Sequence, residues 1–190
     1  LHAFAYFSMS SPLMLNSFAK SYIADQACAA ALSAGHLTAA VVNLGGDLVI
    51  RGDGTETVGI ADPQADGEGE IPLVSIAVKD RAVATSGGYR RGVEIAGHWY
   101  SHLVDPRTGR PVDHVSSATV VGQSATDAGA LATALCVMSA EEGLSLVTHQ
   151  PGVECLLVMN DGRRLASAGW KALEKPAVRM PVGLHAAVAA

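Results

Sequence analysis

At 190 residues, 49% hydrophobic and 16% charged, the chain is long enough to bury the core of one domain and too apolar to stay disordered. A formal charge of −5, with Lys and Arg scattered, gives no basic stripe for a run of phosphates, which argues against a nucleic-acid partner and leaves small anions open. No apolar run reaches the roughly 20 residues of a membrane span, and the start "LHAFAYFSMSSP" lacks the basic stretch of a signal peptide, so a soluble chain is expected. A mature or truncated product would share such a start.

In chain order, Asn16 or Ser17 can cap a helix through "FAKSYIADQACAAALSA", which Gly35 would end. "LTAAVVNL", a "GGD" turn and "LVIRG" read as a hairpin. Further strands are expected at "ETVGIAD", "LVSIAVKD", "AVATSG", "VEIAG" and "WYSHLVD", with an acidic, glycine-rich loop at "PQADGEGEIP". After the strand "SSATVVG" an alanine-rich helix runs from about Asp127 to Met138, and Ser139 with Glu142 makes a capping box for another. "VECLLVMNDGRRLASAG" is a hairpin turning at Asp161-Gly162, and residues 171–190 read as an irregular tail. Helix, strands, helices, strands argue for a single α+β domain, mostly antiparallel sheet with packed helices.

Three glycine-bearing stretches can bring main-chain N–H groups close to phosphate oxygens: "NLGGD" (43–47), "ATSGGYRRG" (84–92) and "DPRTGRP" (105–111). Each also reads as an ordinary hairpin turn, and none has the spacing of a dinucleotide-binding fingerprint. His102, just before the third stretch, can accept a proton near neutral pH or can simply satisfy a local backbone group. His98 and His114 have only hairpin contexts. Cys28, Cys136 and Cys155 are far apart in apolar segments and read as buried thiols.

Taken together, "LNSFAKSYIADQA", "AVVNLGGDLVIRG", "AVATSGGYRRGVEIAGHWYSHLVDPRTGRPV" and "ATDAGALATALCVM" occur in the order and spacing of the FAD:protein FMN transferase (ApbE) family, which the chain resembles over nearly all of residues 13–160. The H-x-x-D-P-x-T-G element is the most distinctive. The resemblance implies an ApbE-like fold and an enzyme that binds FAD, uses Mg2+, and transfers FMN to a serine or threonine hydroxyl of an acceptor flavoprotein with release of AMP. Hydrolysis of FAD to FMN and AMP is a variant. It implies His102 as base, and Asp25, Gly45, Gly46, Asp47, Thr85, Ser86, Gly87, Tyr89, Asp105 and Thr108 as positions around the dinucleotide. A periplasmic or extracytoplasmic location follows from the resemblance alone.

For the metal, the resemblance implies an aspartate and a threonine one turn apart on the alanine-rich helix, plus a main-chain carbonyl near Ser17. Thr133 is present, but Gly129 stands where the family carries the aspartate. Asp127 is two residues away, about 200° around the helix, and is expected to face elsewhere and serve the helix's first turn beside Ser124. The family's K-G-Y is Lys20-Ser21-Tyr22, and the upstream third of a typical member has no counterpart. A more open pocket is therefore expected, which a neighbouring subunit of a homo-oligomer could complete. The competing reading is a non-catalytic flavin-binding or interaction homologue without its metal carboxylate.

Overall fold

The computed structural model describes residues 16–65, 71–176 and 186–187. The first helix, α1 (Asn16–Ser33), leads into the hairpin β1 (Ala39–Leu44) and β2 (Asp47–Gly52), then β3 (Thr55–Ile60), β4 (Val74–Lys79) and β5 (Ala82–Gly87). Two short ribbons follow, β6 (Gly92–Ile95) with β7 (His98–Ser101), and β8 (Val104–Asp105) with β9 (Arg110–Pro111). The second half holds β10 (Val115–Gly122), α2 (Ala125–Val137), α3 (Ala140–Thr148), β11 (Glu154–Met159), β12 (Arg164–Ala166), α4 (Trp170–Leu173), β13 (Glu174–Lys175) and β14 (Ala186–Ala187).

The six-stranded sheet runs β1-β2-β5-β10-β11-β12, antiparallel throughout, and a four-stranded sheet runs β13-β4-β3-β14. Side chains alternate across a strand, and here both faces are covered. Ala84, Val120 and Leu157 join Ala128, Ala132 and Leu135 of α2 in one core. Their neighbours Val83, Val121 and Leu156 join Ile60, Ile76, Val78 and Trp170 in the other. The large sheet is thus the middle of three layers, which is why β10 is buried at all of its positions and shows no polar alternation.

Topology also orients the helices. Residue 82 of β5 pairs with both Gly122, where β10 ends, and Val49, so α2 starts at the end of the sheet where β2 finishes and β1 begins. The helix α1 ends at that same side before feeding β1, so the two helices run antiparallel over the same face, where they pack together.

Two local expectations shift. The strand expected over "WYSHLVD" breaks at His102 and Leu103 into β7 and β8, because Ser101 turns inward and its hydroxyl accepts from Leu103 N at 3.0 Å. Within the tail expected to be irregular, residues 171–175 instead belong to α4 and β13, anchored by the preceding Trp170 in the second core. Residues 66–70 of the acidic loop lie outside the described residues.

Candidate active site

The Gly45-Gly46 turn joins Leu44 to its partner Asp47 as a two-residue hairpin, and both glycines have positive φ, 58° and 94°. That twist matches paired strands and favours glycine. Lys20 reaches over from α1, donating to Gly45 O at 3.1 Å and pairing with Asp47 at 3.3 Å. Ser21 Oγ donates to Asp47 Oδ2 at 2.6 Å. Burial pushes the Asp47 carboxyl above its usual range, against the opposing pull of Ser21 and Lys20. The "K-S-Y" and "G-G-D" stretches are therefore clamped to each other, and Asp47, 3% exposed, turns its carboxylate toward α1.

Asp25, one turn further along α1, is bound to the start of α2. Its carboxylate accepts from Ser124 Oγ (3.2 Å), Ala125 N (3.1 Å), Thr126 N (3.0 Å) and Thr126 Oγ1 (3.1 Å), and Arg51 stands 3.5 Å away. Ser124 Oγ in turn accepts from Asp127 N, the N-cap that the spacing predicts. Asp127 is exposed and lines a cleft of about 450 Å3 with Ala130, Leu131, Ala134, Gln150 and Pro151. Thr133 is not part of that cleft.

Along the end of β5, Thr85 is buried with its hydroxyl 2.9 Å from that of Thr119 on β10. Ser86 faces the helices: Thr133 Oγ1 lies 3.5 Å from Ser86 Oγ and donates to Gly129 O at 3.1 Å. Gly87 carries the Tyr89 ring, which would stand 3.0 Å from an added Cβ. Tyr89 Oη is shielded and has no hydrogen-bond partner among the described residues, while Arg90 lies over the ring at 5.6 Å. At Gly88 a Cβ would come within 2.2 Å of Ser101 Oγ, so only glycine lets the β7 end seat here. Trp99 Nε1 fastens the same place, donating to Gly88 O at 2.7 Å.

His102 follows Ser101 and is exposed, with Nδ1 3.0 Å from Arg91 O. A carbonyl only accepts, so in this bond Nδ1 carries the proton, and the neutral form of the ring has its lone pair on Nε2. The next turn is built by Asp105, which accepts from Arg107 N at 2.8 Å and from the Arg107 guanidinium at 3.0 Å. These bonds hold the Asp105 carboxyl below its usual range. Gly109, at φ 70°, closes the turn by donating to Asp105 O, and Thr108 Oγ1 accepts from Arg110 N. Arg107 and His114 then reach Val137 O and Met138 O, tying this loop to the end of α2.

The structure thus gathers Ser86, Gly87, Tyr89, Thr133 and the His102–Thr108 segment around the C-terminal end of β5 and the last turns of α2. Gly45, Gly46 and Asp47 lie at that same end of the sheet, clamped by α1. The Asp25 carboxylate is engaged by the start of α2, and the Thr85 hydroxyl by that of Thr119. Ser17 lies in the first turn of α1, toward the end of α2 that holds Thr133. Sequence reasoning did not single out Trp99, Ser101 or Arg51. The alternation that puts Trp99 and Ser101 on one face of the β6–β7 ribbon, above Gly88, was the available signal for the first two. Nothing local marks Arg51.

The donor set at Thr133 does not fit the Mg2+ that the family likeness implies. Gly129 brings a carbonyl, Thr133 and Ser86 bring hydroxyls, and Asp127 lies on a different flank of the helix. Among the described residues no three His, Cys, Asp or Glu side chains cluster to hold a metal. A divalent cation with hard ligands normally draws on at least one carboxylate.

The domain is a three-layer α+β fold, with the large antiparallel sheet between the helices and the smaller sheet. The sequence profile of the ApbE family matches residues 8–157, and the chain belongs to that family. It is 37% identical to an FAD:protein FMN transferase of Treponema pallidum over 170 residues, 83% of this chain and 46% of that protein. A second such protein, from Vibrio cholerae, is 36% identical across 69% of this chain and 41% of its own length. The crystal structure of the ApbE protein from Thermotoga maritima superposes with a TM-score of 0.75 at 35% identity, covering 85% of this chain and 53% of that one. The chain spans about half the length of the relatives it matches.

Proposed function

We propose that the chain is the nucleotide-handling part of an FMN transferase: it binds FAD and transfers the FMN half to a serine or threonine hydroxyl of a protein acceptor, releasing AMP. The observation that carries this reading is His102, exposed just after β7 with Nδ1 engaged by Arg91 O, beside the Gly87–Tyr89 turn. In the proposed step the acceptor hydroxyl oxygen attacks the FMN phosphorus, its proton passes to His102 Nε2, and the bridging oxygen leaves with AMP. Water in place of the acceptor would give FMN and AMP. No step is assigned to a metal, since the Thr133 donor set lacks the carboxylate. An extracytoplasmic location belongs to the same proposal, supported by family likeness.

The Gly129 position favours a second reading, a homologue that binds flavin without turning it over. One experiment separates them: incubation with FAD, with and without Mg2+ and an acceptor flavoprotein, with AMP measured. Transfer predicts AMP and a flavin-labelled acceptor, both lost in His102→Ala. AMP absent from wild type but produced by Gly129→Asp with Mg2+ assigns the silence to the missing carboxylate. No AMP from either protein, with FAD bound, establishes the binding reading.

A further inference from the structure

We propose that Asp25 is a positioning residue for the Thr133–Ser86 pair, acting through the first turn of α2; this rests on reading that pair as part of the flavin site. An alanine-rich helix has shallow ridges, so packing alone fixes its axial position weakly. Gly129, Ala130, Ala132 and Ala134 give α2 that surface on the turns carrying Thr133. What locates the helix along its axis is polar. Asp25 accepts from two backbone N–H groups and two hydroxyls at the α2 start, all at 3.0–3.2 Å. Arg51 joins the same carboxylate to β2 and also donates to Gln123 O at the β10–α2 joint.

Every group around this carboxylate is a donor, so an amide in its place would turn N–H against N–H. Thr133 lies eight residues beyond Ala125, about 12 Å along the helix. A small tilt or slide at the latch is therefore carried to Thr133, whose hydroxyl is at the 3.5 Å limit of contact with Ser86.

The test uses the whole chain with the variants Asp25→Asn and Thr126→Val, the second removing one donor without touching α1. Three readouts are taken: amide exchange along α2, NMR resonances of Thr133 and Ser86, and FAD titration. In Asp25→Asn, exchange at Ala125 and Thr126 should accelerate about tenfold or more. The resonances of Thr133 and Ser86 should shift, and FAD affinity should fall about tenfold. Thr126→Val should move the same resonances less, and it decides the matter if Asp25→Asn does not fold. Faster exchange at the first turn with Thr133 and Ser86 unmoved would overturn the proposal, leaving a local cap. If the wild type binds no FAD while the resonances still respond, the flavin reading falls and the latch stands.

Discussion

Thr85 and Thr119 face each other across β5 and β10, 6% and 1% exposed, with their hydroxyls 2.9 Å apart and no other side-chain partner among the described residues. Thr85→Val leaves the Thr119 hydroxyl buried and unpaired, and Thr119→Val does the converse. Stranding a buried hydroxyl costs about 1–3 kcal/mol. For a domain of this size each kcal/mol lowers the melting midpoint by about 2–4 °C, so a central cost of about 2 kcal/mol predicts a fall of about 4–8 °C in either single variant. The double variant replaces both partners by apolar groups of the same shape and should recover most of the summed loss, a coupling of about 3 kcal/mol at that central cost. Thermal unfolding of the four proteins at one pH checks this. Losses that simply add would refute the mutual pairing. Flavin titrations on the same four proteins separate the roles open to Thr85. A framework hydroxyl predicts affinity that recovers with stability in the double variant, whereas a ligand-binding hydroxyl predicts affinity that stays lost.

Tyr89→Phe removes a shielded hydroxyl without a partner, so it should leave the melting midpoint unchanged or raise stability by up to about 1 kcal/mol. Under the transferase reading it should at the same time weaken FAD binding; a midpoint several degrees lower would show that the hydroxyl is bonded in the folded protein. The thiols make a pH prediction. Burial pushes Cys136 up to about 12 and Cys155 to about 11, from an ordinary 9.0. The folded chain keeps these protons where the unfolded chain loses them, so stability should decline as pH rises beyond about 9 toward 11 and 12. Replacing both cysteines by alanine should flatten that decline in denaturant titrations. A decline of unchanged steepness would place its origin elsewhere.

Much of the fold was legible because its signals are local. The Gly45-Gly46 turn demands positive φ at two adjacent positions, and Ser139 with Glu142 forms the capping box their spacing announces. The N-terminus of α2 follows Ser124, two residues earlier than Asp127 suggested, since the cap and not the first acidic residue sets the start. The break at His102 was not legible: it depends on Ser101 seating against Gly88, a contact made only after β5 and the β6–β7 ribbon come together. The small secondary elements after Gly169 likewise rest on Trp170 finding a core supplied by β2, β3, β4, β5, β10 and β11.

The candidate site was legible as a set of positions but not as a set of roles. A polar residue fixed in a motif can serve a ligand or the frame that shapes the ligand's site, and both demands constrain its type in the same way. Asp25 illustrates the difficulty, since its partners at the start of α2 lie 99 to 101 positions away and Arg51 26 positions away, all outside any local window around it. Asp47 is the same case at shorter range, occupied by Ser21 and Lys20 from the helix before it. With these carboxylates engaged by their neighbours, the described side chains around the end of β5 are the hydroxyls of Ser86, Tyr89 and Thr133, the His102 imidazole, arginines, and Asp105 held by Arg107. Such a surface can bind a diphosphate by donation and charge. Under the transferase reading turnover requires AMP to leave, and for that reason Gly129→Asp, placing a carboxylate one turn from Thr133, is the substitution that most directly tells a binding domain from an enzyme.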